Sequence, residues 1–188
     1  IIYFNSFKKS DYFYKKGLQE KNRGNFELAE EYFRNSIFYL KTHLFSMKEL
    51  LSIAEIKKDI KLERKIKTEL EEIYSPDTKG KISFENGLKY IGCKMSSKSV
   101  KPDSVINITY YFLPEKYVKN DFAVFVYFMP DEGSSKSEIL FQNDHFLELK
   151  VYKEEKYLVP GSLIVDEQIL YIPENIKYKG RINIWLGL

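Results

Sequence analysis

The apolar residues of this 188-residue chain change their spacing near Ser75-Pro76-Asp77-Thr78-Lys79-Gly80. Before that stretch they recur three or four positions apart, as on one face of a helix. After it they alternate, as in half-buried strands. Pro, Asp and Gly together break regular structure. The chain therefore reads as α+β, with helices over 1–76 and an all-β part over 80–188.

Four helices are predicted. The first spans about Asp11 to Asn22, with Ser10 as N-cap, because its hydroxyl can accept from a first-turn N–H. Gly24 ends it, since Gly reaches the left-handed cap conformation at little cost. The second spans about Glu27 to Leu40, with Ala29, Phe33, Ile37 and Leu40 as its apolar stripe. The third covers Leu44 to Lys57 and the fourth Ile60 to Ile73. The short turns between them predict antiparallel neighbours.

The second half predicts about seven strands: Phe84–Met95, Val105–Phe112, Phe122–Met129, Glu138–Phe141, Leu149–Leu158, Leu163–Ile172 and Ile182–Leu188. Turn signals separate them at Lys101-Pro102-Asp103, Asp131-Glu132-Gly133, Pro160-Gly161 and Lys179-Gly180. Short strands at this spacing predict a two-sheet, immunoglobulin-like sandwich.

Little in the sequence points to chemistry. The net charge is only +3, from 30 bases and 27 acids, so nucleic acid is not an expected partner. One cysteine, Cys93, excludes an internal disulfide and a multi-cysteine zinc site. Glycine-rich phosphate loops are absent. Of the two histidines, His43 reads as a helix cap or a surface residue. Asp144-His145 reads as a polar turn, because adjacent strand residues face opposite ways. No serine stands in a nucleophile-elbow context. The pairs Asp166-Glu167 and Glu154-Glu155 read as solvated surface. So does the basic run Lys57-Lys58, Lys61, Arg64-Lys65, Lys67, where interleaved glutamates offer helix-face pairs. Asn107-Ile108-Thr109 fits a glycosylation sequon but lies within a strand. The reading is a non-enzyme with no catalytic, cofactor or metal residues.

The aromatics Tyr12, Phe13, Tyr14, Tyr32, Phe33, Phe38 and Tyr39 are too dense for one hairpin to bury. With Phe33 assigned to the helix core, Tyr12, Phe13, Tyr14, Tyr32, Phe38 and Tyr39 are the expected partner-binding set, because exposed aromatics mark protein interfaces.

Ser10 to Lys41 resembles one tetratricopeptide repeat. Phe13 stands at the aromatic position of the first helix, Gly17 follows four residues on, and Gly24-Asn25-Phe26 match the turn. Ala29 is the small residue at the helix crossing, with Phe33 and Ile37 beyond it. Ser36 replaces the usual Ala, and Lys41 stands where Pro often ends the repeat. The next pair of helices departs further, with Lys58 and Glu63 at the Gly and Ala positions.

The second half resembles a β-sandwich module at the ends of bacterial envelope proteins, including some membrane glycosyltransferases. The matching segments are Phe84-Glu85-Asn86-Gly87-Leu88, Ile91-Gly92, Lys101-Pro102-Asp103 and Asp121-Phe122-Ala123-Val124-Phe125-Val126. Phe141-Gln142-Asn143-Asp144-His145, Pro160-Gly161 before Asp166, and Trp185-Leu186-Gly187-Leu188 complete them. Tyr110-Tyr111-Phe112 lacks the module's usual Trp. The resemblance implies an accessory domain without catalytic residues.

Together these readings give an envelope adaptor, periplasmic or membrane-associated, that binds another protein through its helices. The alternatives are a glycan-binding module and a cytoplasmic location. Because the chain opens on Ile1 rather than Met, an upstream segment able to carry a signal or membrane anchor is expected.

Overall fold

The computed structural model describes residues 2–119, 121–131, 139–147 and 157–188, with side chains from Ser6 onward. It is an α+β protein. Four helices, α1 (Ile2–Asn22), α2 (Phe26–Tyr39), α3 (Leu44–Lys57) and α4 (Ile60–Ile73), precede ten strands. The strands are β1 (Thr78–Ser83), β2 (Leu88–Met95), β3 (Ser104–Pro114), β4 (Val118–Lys119) and β5 (Ala123–Pro130). They continue with β6 (Phe141–Gln142), β7 (His145–Phe146), β8 (Tyr157–Leu158), β9 (Ile164–Ile172) and β10 (Ile182–Gly187).

The helix ends have local causes. At the end of α1 the Asn25 N–H reaches the Glu20 carbonyl and the Gly24 N–H reaches that of Lys21. This is a Schellman pair, and Gly24 takes the left-handed φ of 81° that it requires. The same turn is built again after α3. There Asp59 N–H reaches Ala54 and Lys58 N–H reaches Glu55, with Lys58 at φ 55°. A non-glycine residue there costs about 1–2 kcal/mol. Asp59 compensates in part by accepting from Leu62 N–H at 3.0 Å as N-cap of α4. Helices α2 and α4 each hold 14 residues, and their starts, Phe26 and Ile60, lie 34 positions apart.

Helix α1 begins well before Asp11. Ser10 is therefore not an N-cap but a fully buried mid-helix residue. Its Oγ donates to the Ser36 carbonyl at 2.9 Å. Ser46 Oγ donates to Ser36 Oγ at 2.8 Å, so a buried hydroxyl chain ties α1, α2 and α3. Helices α1 and α2 approach closely because Gly17 has no side chain: a Cβ there would sit 2.5 Å from the Phe33 ring.

The sheets run β1-β2-β3-β9 and β10-β5-β6, with β7 also pairing β5 and a separate β4-β8 pair, all antiparallel. The expected strand Phe84–Met95 is shortened to β2, and β1 lies ahead of it, outside every expected strand. Asn86 Oδ1 accepts from Leu88 N–H and Gly87 takes φ 90°, which makes Phe84–Gly87 a turn. Of the expected strand Glu138–Phe141, only β6 begins within it, and Glu138 lies outside the described residues. Residues 149–156 of the expected strand Leu149–Leu158, Glu132-Gly133 and Glu154-Glu155 also lie outside them. Residues Leu88, Ile108, Phe112, Val124, Val126, Ile164 and Ile172 of the two sheets meet in one buried core.

The helices lie against the outer face of the first sheet. Leu44 packs with Tyr111, Leu113 and Leu163, and Ile73 and Tyr74 join them. Backbone bonds reinforce this seam: Leu44 N–H to Gly161 O at 2.7 Å and Leu163 N–H to Thr42 O at 2.8 Å. Tyr74 Oη donates to the Ile91 carbonyl at 2.8 Å.

Candidate functional site

The aromatic residues of α1 and α2 divide between two faces. An α-helix turns about 100° per residue, so Tyr12, Phe13 and Tyr14 cannot share a direction. Phe13 stacks on Tyr39 with centroids 5.5 Å apart and planes at 2°. It also stacks on Tyr32 at 6.2 Å. Tyr12 meets Phe13 edge-on, and Phe38 meets Tyr39 edge-on. These five rings form one continuous ridge. Its ends stand in solvent, with Phe38 77% and Tyr12 54% exposed. Lys9 lies over the Tyr39 ring and Lys16 over that of Tyr12, which gives the ridge a cationic border. Tyr117, from the β half, donates to Asp11 at 2.5 Å and stands below the Lys15 ammonium.

Tyr14 does not belong to this ridge. It turns inward against Phe33, His43 and Phe45, and burial raises its hydroxyl pKa. Its neighbour His43 is fully buried. His43 is the N-cap of α3, its Nδ1 accepting from Ser46 N–H at 3.2 Å. Nε2 makes no hydrogen bond among the described residues, although the Pro160 carbonyl lies near enough to favour the protonated ring. Burial outweighs that contact and that of Asp11, and holds the His43 pKa down at about 4.

His145 has a different environment. Asp144 points away from it and accepts from Val126 N–H at 3.1 Å. His145 instead reaches across to Asp166 on β9, Nε2 to Oδ2 at 2.6 Å, while Nδ1 meets the Asn143 carbonyl at 2.7 Å. Tyr110 stacks on the imidazole at 5.6 Å and donates to Asn143 Oδ1. Gln168 donates to Asp166 Oδ1 at 2.8 Å. Burial alone would lower the His145 pKa, but its bonds to Asp166 and the Asn143 carbonyl raise it overall. Asp166 is therefore no solvated surface acid, since it is wholly buried. The sequence conceals this pair because its members lie 21 positions apart on strands of different sheets.

Elsewhere charged residues pair within α4 and between α3 and α2. Lys67 meets Glu63 and Lys65 meets Glu69 on α4, while Lys57 reaches back to Glu27 and Glu30 around the start of α2. The exposed pairs on α4 are each worth about 0–1 kcal/mol. Asn107 faces solvent from the middle of β3. Cys93 is buried, and burial pushes its thiol pKa up.

Among the described residues, no group of three His, Cys, Asp or Glu side chains is arranged to hold a metal ion. No described helix is long and apolar enough to cross a membrane. Comparison with protein-family models, curated proteins and solved structures gives no match.

Proposed function

We propose that the protein is a non-catalytic adaptor that binds another protein through the aromatic ridge of α1 and α2. The observation that carries this reading is the stacked array Tyr12–Phe13–Tyr39–Phe38, open to solvent at both ends. Burying one Phe side chain is worth about 1.5–3 kcal/mol, so the ridge can yield several kcal/mol when covered. An aromatic centre with a charged border is also the anatomy of a protein interface.

The recurrence of one turn and one helix length after 34 positions favours two tetratricopeptide-type units, the second with Lys58 in place of the turn glycine. Two sheets around a common core favour an immunoglobulin-like sandwich for the β half. The envelope location rests on the resemblance of that half to envelope accessory modules. A structural role for His145 supports the non-catalytic reading, because both ring nitrogens are engaged within the protein.

A photo-crosslinking amino acid at Phe38 tests the proposal in the native envelope fraction. We expect a discrete protein adduct from position 38 and none from Ile169, which is exposed on β9. Tyr39→Ala should weaken the interaction about tenfold or more, as at an interface hot spot. Equal adducts from both positions, or none from position 38, would refute it.

One observation favours glycan binding as a second reading. Trp185 stands 52% exposed beside Tyr127 on the outer face of the second sheet, with Phe125 opposite Gly187. Aromatic faces of this kind can stack on sugar rings. Trp185 is the only Trp in the chain, so its emission reports the site directly. Saturable quenching by soluble envelope polysaccharide is the expected result, and an unchanged spectrum removes this reading.

A further inference from the structure

The two sheets part at the end remote from the helices. The helices cover Tyr111, Leu113 and Leu163, while the other ends of β3 and β9 open onto a cavity of about 820 Å³. Its walls are apolar and come from both sheets: Ile106, Leu170 and Ile172 on one side, Phe128, Phe141 and Ile184 on the other. Phe128 and Phe141 stack at 4.4 Å and form a flat stretch of wall. Ligand pockets typically enclose about 300–1,000 Å³, so this space suits a small molecule.

The rim is of opposite character. Lys98 and Lys101 come from the β2–β3 loop, and Lys177, Lys179 and Arg181 from the β9–β10 connection. Asp131 is the one carboxylate lining the mouth among the described residues, and it accepts from Asn183 at 3.0 Å. Helix lysines such as Lys21, Lys57 and Lys67 form ion pairs. Among the described residues, none of the five rim cations does. Two separate loops thus bring like charges to one opening, where they repel one another in the absence of an anion. The whole chain carries only +3, so this is a local concentration of charge.

We propose that this cavity binds a free long-chain fatty acid, its acyl chain between the sheets and its carboxylate among the rim cations. Sheets packed about 10 Å apart are normally filled by their own side chains, but here they part around about 820 Å³, which admits a linear chain. The rim selects a chain with an anionic head over a neutral one, because the cationic groups gain a counter-charge only from the former. The inference rests on the β half and does not depend on the helical ridge.

The test is fluorescence titration of the purified chain with cis-parinaric acid, followed by displacement with palmitate or hexadecanol. Saturable binding of one probe per chain is expected, with palmitate displacing it at a concentration at least about tenfold below hexadecanol. Raised salt should weaken palmitate binding, since the rim charges are solvent-accessible. The double variant Lys177→Glu/Lys179→Glu should lose affinity about tenfold with an unchanged melting temperature. Ile184→Trp, which fills the cavity, should reduce probe uptake at unaltered rim charge. Absence of saturable binding overturns the proposal. Equal displacement by hexadecanol, or unchanged affinity of the charge-reversed variant, overturns it as well. Association with phosphatidylglycerol vesicles without uptake of monomeric palmitate would assign the rim to a membrane surface and also refute it.

Discussion

Replacing Asp166 with Ala should lower the unfolding free energy by about 3–5 kcal/mol, the usual cost of removing one partner from a buried charge pair. For a chain of this size that is about a 10 °C fall in melting temperature. Asp166 is wholly buried between the sheets and holds His145 at 2.6 Å. Without it the imidazole loses its partner, and the Gln168 amide loses its acceptor. Asp166→Asn should cost less, because it keeps an acceptor while losing the charge. A double-mutant cycle with His145→Gln isolates the pair's own contribution. The pair also carries a pH sign. The folded His145 pKa is raised above 6.5, so its stabilisation is complete below that value and fades as pH rises through the folded pKa. Urea unfolding of Asp166→Ala within 1 kcal/mol of wild type, on the order of ordinary surface substitutions, would sink this account.

Acidification from pH 6.5 to 4 should destabilise the protein through His43. Burial holds its folded pKa at about 4, against 6.5 for a free histidine. A folded pKa below the unfolded one means that stability is full above 6.5 and drains as pH falls towards 4. Each tenfold change in proton affinity is worth about 1.4 kcal/mol, so the loss approaches about 3 kcal/mol at the acid end. The nearby Asp11 opposes part of this effect by favouring the charged ring. Carboxylates elsewhere also begin to protonate in this window, so the comparison is with His43→Asn. Asn preserves the N-cap acceptor for α3 but does not titrate. Denaturation midpoints of the two proteins should converge as pH falls from 6.5 to 4. A constant gap between them would rule out His43 as the acid-sensitive group.

The helical half was largely readable because its signals are local. Apolar spacing and the Gly24 turn placed α2, α3 and α4 within about one residue of their observed ends, which is as close as helix boundaries can be defined. Ser10 misled for the same reason. Its short polar side chain suits a cap, but its partner is Ser36, 26 positions away. Five of the six aromatics expected at a partner surface share one ridge, whereas helical rotation turns Tyr14 into the core. In the β half, alternation revealed the long strands but not their neighbours. Pairing decides that Asp166 meets His145 rather than solvent, and that two lysine-bearing loops share one cavity mouth. Neither relation leaves a local trace in composition or spacing. Strand β1 was missed because Thr78–Ser83 carries one large apolar residue, Ile82, and the two-residue strands β4 and β7 because they are too short to show a period.

The seam between residues 42–44 and 161–163 has a mechanical consequence. Helices and sheets are joined once by the covalent chain at Tyr74–Asp77 and again by backbone pairing far along the sequence. The helical arm is therefore a clamped lever and not a tethered one. Force applied by a partner to Phe38 would be carried through the seam into β9, and severing the chain near Pro76 would leave the two pieces gripping each other.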